Sequence, residues 1–185
     1  MLSFSSTFDR PIQGQFIFRQ LANYCDDETF VYIEISKPDT LNAVRTENHA
    51  WHIHENAVKT NYESLSTTQC SAAGGHHNPY NVSALDQTYL RDCNSATPER
   101  CERGDTSSKL SPISIVPYKP VVYTGENGEK KVYGDPEVYK LYLVDSSLSL
   151  CGPNSIVGRS VVVHEKHFSA PRLSCSNVLE FKTKN

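Results

Sequence analysis

The amino-acid sequence predicts an all-β fold, an antiparallel sandwich or barrel of about eight short strands with long loops. Two observations carry this prediction. Apolar and polar residues alternate in several short runs, and no long helical period is present. Turn residues (Gly, Pro, Asn and Asp) separate these runs. With 185 residues, the chain is expected to form one domain that spans residues 1–185.

Four runs alternate as half-buried strands do, and a fifth is apolar on both faces, as in a fully buried strand. The alternating runs are residues 14–20, 29–36, 138–144 and 178–182, and the buried run is RSVVVH at residues 159–164. The tetrad GENG at residues 125–128, between VVYT and KKVY, predicts a hairpin. Residues 83–91 predict one short helix.

Composition and charge exclude several classes of partner. The formal net charge is −3 and no basic run is present, so neither nucleic acid nor an anionic membrane is an expected partner. No apolar stretch approaches the roughly 20 residues that span a bilayer. The N-terminal segment MLSFSSTFDRP lacks the charged and apolar regions of a signal peptide. We therefore expect a domain cut from a longer precursor, with Met1 added for expression.

The cysteines indicate an oxidising compartment. Their number, six, is even and no CxxC pair occurs, which predicts three disulfides in an extracellular protein instead of a zinc knuckle. Three of them lie in the polar segment 55–110. Loops of that length are usually functional and need disulfides to stay ordered. A sequon at Asn81 is a candidate glycosylation site and agrees with secretion.

The histidines form a candidate metal site. His52 and His54 are two residues apart, so they share one face of a strand and can reach one metal together. His164 ends the buried run, and a further candidate follows the glycines of GGHH at residues 74–77. Imidazole clusters suit copper, zinc, nickel and iron. From the residues alone, scattered surface histidines on a β-protein remain the alternative.

The flanking motifs resemble those of the copper/zinc superoxide dismutases. HIHE, CxxxGGHxNP, GD, GRSVVVHEK and RLSC follow one another in the family's order, and the resemblance covers residues 13–181. It implies a Greek-key, immunoglobulin-like barrel or sandwich. It also implies that copper is bound by four histidines: His52, His54, His76 and His164. His49 matches a position that hydrogen-bonds near the metal, and His77 matches a packing position.

The chain departs from the zinc-containing members. Two zinc histidines are missing after His76, and Glu102 stands in ERGD where the family has a histidine. One shared histidine with two carboxylates is a poor zinc site, so we expect no zinc. The long charged loop that follows HEK in the zinc enzymes is also missing. These departures resemble the copper-only superoxide dismutases, extracellular proteins of fungi and, as tandem repeats, of animals. We expect a repeat domain of an animal protein of that kind.

The resemblance implies roles for the residues around the copper. Arg172, three residues before Cys175, matches the arginine that attracts superoxide, and His76 would carry a proton. Without zinc, Glu102 is our candidate for orienting His76; the alternative is a solvated loop residue. Asp105 is expected to tie its loop by hydrogen bonds. The segment 108–145 exceeds its equivalent in the zinc enzymes, and no role is assigned to it.

Disulfide pairing follows from the same resemblance. Cys70–Cys175 matches the family disulfide that anchors the His76 loop. Cys93 and Cys101 lie eight residues apart in one loop and are expected to pair locally, which leaves Cys25–Cys151.

The function that this resemblance implies is copper-dependent disproportionation of superoxide to O2 and H2O2 by an extracellular, monomeric domain. Tandem arrangement with similar domains in a longer precursor is compatible with that prediction. The alternative is a non-catalytic copper-binding or structural repeat module with the same fold. A cupredoxin-type electron carrier would need a cysteine thiolate ligand and usually an axial methionine. The one methionine is Met1 and the cysteines are expected to form disulfides, so the sequence does not favour this function.

Overall fold

The computed structural model describes residues 1–9, 11–38, 44–59, 70–118, 122–132, 138–166 and 171–181. The short connection after HEK at residues 167–170 lies outside these ranges. Within them, no helix has the length and apolar character needed to cross a membrane.

In chain order the elements are β1 (Leu2–Phe8), β2 (Gln13–Gln20), β3 (Thr29–Pro38), β4 (Thr46–His54), α1 (Tyr89–Asp92), a 3₁₀ turn (Pro98–Arg100), α2 (Thr106–Lys109), β5 (Ile113–Ile115), β6 (Pro117–Tyr118), β7 (Val122–Thr124), β8 (Lys130–Val132), β9 (Tyr139–Asp145), β10 (Ser160–Lys166), β11 (Arg172–Asn177) and β12 (Leu179–Glu180).

Two sheets form the sandwich. One has the order β12-β1-β2-β3-β6, with β9 also paired to β3, and the other has the order β11-β10-β4-β5. Pairing is antiparallel except for the two-residue contact between β3 and β6. The principal strands are β1, β2, β3 and β9 in the first sheet and β4, β5, β10 and β11 in the second. The all-β fold class predicted from the sequence is therefore confirmed.

The core lies between the sheets. Phe16, Ile33, Trp51 and Val161 are each 0% exposed in one apolar cluster, and the Phe16 and Trp51 rings lie 5.2 Å apart. Burying side chains of this size contributes about 1.5–3 kcal/mol each. The cluster takes Trp51 and Ile53 from β4, which leaves His52 and His54 on the opposite face of the same strand.

Several of the predicted elements are present and two differ. The runs at 14–20, 29–36, 138–144 and 159–164 become β2, β3, β9 and β10, and the GENG turn joins the paired strands β7 and β8. The run at 178–182 is shorter than expected, because only Leu179–Glu180 is assigned as a strand and it pairs with β1.

The short helix predicted over residues 83–91 begins later than expected. The helix is confined to Tyr89–Asp92, and the preceding residues form turns. The Asp86 side chain accepts a hydrogen bond from the Thr88 amide at 2.9 Å, while the Asp86 amide bonds to Ser83 O at 3.3 Å. Local bonds of this kind compete with helical ones, so the polar composition breaks the helix.

Candidate metal site

Three of the candidate ligands lie on the outer face of the four-stranded sheet. His52 and His54 project from β4, and His164 projects from the neighbouring strand β10. Nitrogen atoms of the three imidazoles all lie within 4.8 Å of one another, and all three side chains are buried. Alternation along two adjacent strands is sufficient to produce this grouping.

The segment that follows Cys70 brings His76 to the same place. His76 forms an isolated antiparallel bridge with His54. Its ring centroid lies 4.1 Å from that of His52 and 5.1 Å from that of His54. The structure therefore brings together all four histidines that the motifs single out.

The end of β4 that does not pair with β5 is held by backbone hydrogen bonds to two other segments. The Ile53 amide donates to Gly104 O at 2.9 Å, the Gly104 amide donates to His77 O at 2.7 Å, and the His77 amide donates to Ile53 O at 2.8 Å. This ring of bonds requires close backbone approach. A Cβ atom on Gly104 would lie 2.1 Å from Ile53 O, which explains the glycine of the GD motif.

Hydrogen-bond acceptors fix the tautomers of His54 and His76, and a carboxylate faces one ring nitrogen of His52. His54 Nδ1 lies 3.0 Å from Gly74 O, and His76 Nδ1 lies 2.6 Å from Glu102 Oε2. His52 Nε2 lies 3.5 Å from Asp105 Oδ1. Because these oxygens only accept hydrogen bonds, the proton stays on the nitrogen that faces them. The lone pairs are left on Nδ1 of His52 and on Nε2 of His54 and His76.

These lone pairs fit a metal ion. Nδ1 of His52 and Nε2 of His54 are buried and have no hydrogen-bond partner in the part of the chain that the structure describes. Burial and the neighbouring histidines lower the pKa of His52, and burial lowers the pKa of His54 to about 3 against the opposing bond to Gly74. Neutral imidazoles with unused lone pairs are ligands for copper and similar metals.

The ERGD segment lies behind these histidines. Glu102 holds His76 with one oxygen, and its other oxygen accepts from Asn78 Nδ2 at 3.2 Å. Its side chain is 14% exposed, so most of it is withdrawn from solvent. Asp105 caps α2, because its Oδ1 accepts from the Ser108 amide at 3.2 Å. The Asp105 carboxylate thus bonds to the backbone at the start of α2.

Arg172 lies beside the His76 segment. Its guanidinium donates to the carbonyl oxygens of Cys70 and Gly74. Gly74 O also accepts from His54, so one carbonyl joins the cation to an imidazole of the site. The Cys70–Cys175 disulfide connects the same segment to β11, the strand that begins at Arg172.

The remaining predicted residues surround this centre. His49 Nδ1 donates to His164 O at 2.9 Å, and its Nε2 accepts from Thr46 Oγ1 at 2.8 Å. His77 is buried and its Nε2 lies 3.1 Å from Asn154 O. Asn81 is exposed with φ 53°. The structure also contains the disulfides Cys25–Cys151 and Cys93–Cys101.

Sequence reasoning missed Tyr89. Its hydroxyl donates to Asp105 Oδ2 at 2.9 Å and accepts from the Glu102 amide at 3.1 Å. Tyr89 lies in a polar segment outside every recognisable motif. The available signal was its place four residues before Cys93, a helical spacing that lets the ring lie against a disulfide.

Comparison with known proteins finds similar proteins by sequence and by fold. No family model matches the chain. A curated Cu-Zn superoxide dismutase of Onchocerca volvulus is 28% identical over 116 residues, 63% of this chain and 49% of the relative. The match thus spans about half the length of that relative.

Solved structures show the same fold. Superoxide dismutase 5 of Candida albicans in its Cu(II) form is 23% identical with a TM-score of 0.63, over 100% of this chain and 95% of that chain. The clock protein EA4 is 20% identical with a TM-score of 0.54, over 95% and 92% of the two chains.

Proposed function

We propose that this chain, which is related in sequence and fold to the copper/zinc superoxide dismutase superfamily, is a copper-only superoxide dismutase. The reaction converts two superoxide anions and two protons into O2 and H2O2. The observation that carries the proposal is the convergence of His52, His54, His76 and His164, where Nδ1 of His52 and Nε2 of His54 keep lone pairs for a metal. Copper held there would supply a centre that alternates between two oxidation states.

The residues of the chain supply attraction and proton transfer. Arg172 places a cation beside the site, held by the carbonyl oxygens of Cys70 and Gly74, and a cation attracts superoxide. We assign proton transfer to Nε2 of His76, because Glu102 keeps Nδ1 of the same ring protonated and Nε2 is then the nitrogen that can take up a proton and pass it on when it is not bound to a metal.

The contacts of the two carboxylates support a site without zinc. Glu102 accepts from His76 and Asn78, and Asp105 accepts from Tyr89 and Ser108. Each carboxylate already has donors on both oxygens. Zinc in a structural site is bound by a nearly complete tetrahedral set of protein ligands. Because the oxygen atoms of both carboxylates already accept hydrogen bonds, too few ligand atoms remain for zinc.

Location and assembly are part of the proposal. Three disulfides and the sequon at Asn81 support an extracellular domain. We expect a monomeric domain, which can also occur in tandem with similar domains in a longer precursor.

Elemental analysis together with a superoxide dismutation assay tests the proposal. The protein refolded with both metals present should hold about one copper and essentially no zinc, and should be active. Stoichiometric zinc beside copper would contradict the copper-only assignment. Copper binding without activity would instead favour the alternative, a non-catalytic copper-binding repeat. Tyr142→Phe, at an exposed position on β9, is a control for both readouts.

A further inference from the structure

We infer that Tyr89 is a positioning residue for the metal site: one buried hydroxyl holds Glu102 and Asp105, and through them His76 and His52. The inference rests on the proposed function, since it concerns the same histidines. It assigns to one side chain of this protein the fixing of the Asp105 carboxylate and of the Glu102 main chain.

The hydroxyl joins the two acidic residues directly. It donates its proton to Asp105 Oδ2 at 2.9 Å and accepts the Glu102 amide proton at 3.1 Å. A phenol has one donor and two acceptor positions, so these bonds use its donor and one of its acceptors. Tyr89 is 6% exposed, which keeps water from replacing either bond.

Each acidic residue in turn faces one imidazole. Glu102 Oε2 lies 2.6 Å from His76 Nδ1, and Asp105 Oδ1 lies 3.5 Å from His52 Nε2. In both rings this is the nitrogen that is not left for the metal. A movement of the Tyr89 hydroxyl would therefore change the orientation of two of the four ligands, without contact between Tyr89 and the metal.

Tyr89 is itself held by a local anchor. It begins α1, its carbonyl accepts from the Cys93 amide at 2.7 Å, and Cys93 is joined to Cys101. The Tyr89 ring forms a buried cluster with both cysteines, and Val82 packs against it. Burial and the Asp105 carboxylate raise the pKa of Tyr89, so its hydroxyl remains a donor over the working pH range. The Cys93–Cys101 disulfide thereby fixes the ring whose hydroxyl holds the Asp105 carboxylate and the Glu102 amide.

Tyr89→Phe removes the hydroxyl and keeps the ring, and Tyr80→Phe is the matched control. Tyr80 is exposed, and its hydroxyl accepts from Arg103 and Asn154, which are outside the carboxylate network. We would measure the electron paramagnetic resonance spectrum of the Cu(II) protein, its copper affinity, and turnover as a function of pH. Melting temperature would be measured on the same samples.

We expect Tyr89→Phe to change the Cu(II) spectrum and to lower copper affinity or turnover by about 10–100-fold, as loss of such outer contacts typically does. The pH profile should also shift, while Tyr80→Phe matches the parent protein. A lower melting temperature with the parent's spectrum, affinity and pH profile would reduce Tyr89 to a structural role and overturn the inference.

Two further outcomes separate this inference from the proposed function. If the parent binds copper but does not dismutate superoxide, a changed spectrum in Tyr89→Phe still supports the positioning role. If Tyr89→Phe does not fold, Cys93→Ala combined with Cys101→Ala loosens the same anchor. That double variant should change the Cu(II) spectrum relative to the parent protein, and an unchanged spectrum would overturn the inference.

Discussion

Nδ1 of His76 lies 2.6 Å from Oε2 of Glu102. The distance is that of a charge-assisted hydrogen bond, and it makes Nδ1 the protonated nitrogen of the ring. The Glu102 side chain is 14% exposed, so solvent competes weakly for this contact. The pair thus determines which nitrogen of His76 is available to a metal or to a substrate.

Glu102→Gln should keep copper but lower turnover, most clearly at high pH where protons are scarce. The amide oxygen can still accept from Nδ1, but it is neutral, so the charge-assisted character of the hydrogen bond to His76 is lost. Loss of such a contact typically costs about 10–100-fold in affinity or activity. Rates from stopped-flow or pulse radiolysis across a pH series would measure the effect.

Glu99→Gln is the matched control for this charge change. Glu99 lies three residues away, is exposed, and lines a surface cavity beside Tyr80 and Arg103. If the two variants behave alike, with parental rates at every pH, then Glu102 does not orient His76.

Gly104→Ala should disrupt the site through the backbone. The added Cβ would lie 2.1 Å from Ile53 O and 2.8 Å from the His77 nitrogen, so the ring of backbone bonds must open. Overpacking of this kind costs at least about 1–3 kcal/mol. We expect a lower free energy of unfolding in urea and weaker copper binding, because Ile53 lies between two ligands.

Gly75→Ala controls for the loss of a glycine near the same histidines. A Cβ on Gly75 would meet Glu55 Oε1 at 3.9 Å, an ordinary contact. Copper affinity and unfolding should stay near the parent values. Equal losses in the two variants would show that the ring of bonds around Gly104 is not what holds the site.

Strands with apolar alternation were predictable from the sequence, and strands with inward serines were not. The run that became β10 is apolar on both faces and is easily recognised. In β1 and β11 the inward positions include Ser6 and Ser176, both buried. Ser6 donates to Ser176 O at 2.9 Å and Ser176 donates to Thr7 O at 2.6 Å. At these positions, hydroxyl groups that form hydrogen bonds between the two sheets take the place of the apolar residues by which a strand is recognised in the sequence.

The same distinction applies to the metal site. The two-residue spacing of His52 and His54 predicts a shared strand face, and the motif order identifies His76 and His164. Tyr89 could not be identified, because its role depends on a fold-dependent contact with Asp105, sixteen residues away. The periodicity of a sequence does not predict which residues an irregular polar loop will contact in the fold.

Loss of Cys70–Cys175 should reduce both stability and activity. The disulfide closes a loop with a sequence separation of 105 residues, and such a bridge typically contributes about 2–5 kcal/mol. It also fixes Cys70, whose carbonyl accepts from Arg172. We expect the double variant Cys70→Ser, Cys175→Ser to unfold at lower urea concentration and to lose most of its turnover.

Cys25→Ser combined with Cys151→Ser separates the two effects. That disulfide has a sequence separation of 126 residues, and it connects the turn after β2 to the loop after β9. Stability should fall by a similar amount while copper binding and turnover are retained. Peptide mapping of the parent protein under non-reducing conditions checks the three disulfides directly. A peptide in which Cys70 is joined to Cys93 or Cys101 would contradict this set of pairs.

The last prediction concerns a buried ion pair below the ERGD segment. Lys109 Nζ lies 2.8 Å from Asp145 Oδ2, and each side chain is 1% exposed. Lys109 also donates to Arg103 O at 2.8 Å. Lys109→Met should cost about 3–5 kcal/mol, because it leaves the Asp145 carboxylate buried without its partner. The double variant Lys109→Met, Asp145→Leu should recover part of that loss.

The pH dependence of stability tests the same pair. Burial alone would raise the pKa of Asp145, but Lys109 and the bonds from Ser147 outweigh it and lower that pKa below its usual value. The unfolded carboxyl therefore takes up its proton at a higher pH than the folded one, so the stabilisation is present at neutral pH. It is lost as pH falls through the usual range of an aspartate, near pH 4, and below. Urea unfolding of the parent between pH 6 and about pH 3 should show this loss. The free energy of unfolding of the double variant should fall less steeply between pH 6 and about pH 3 than that of the parent. If the two proteins lose stability in parallel over this range, the ion pair adds nothing to the acid sensitivity of the parent.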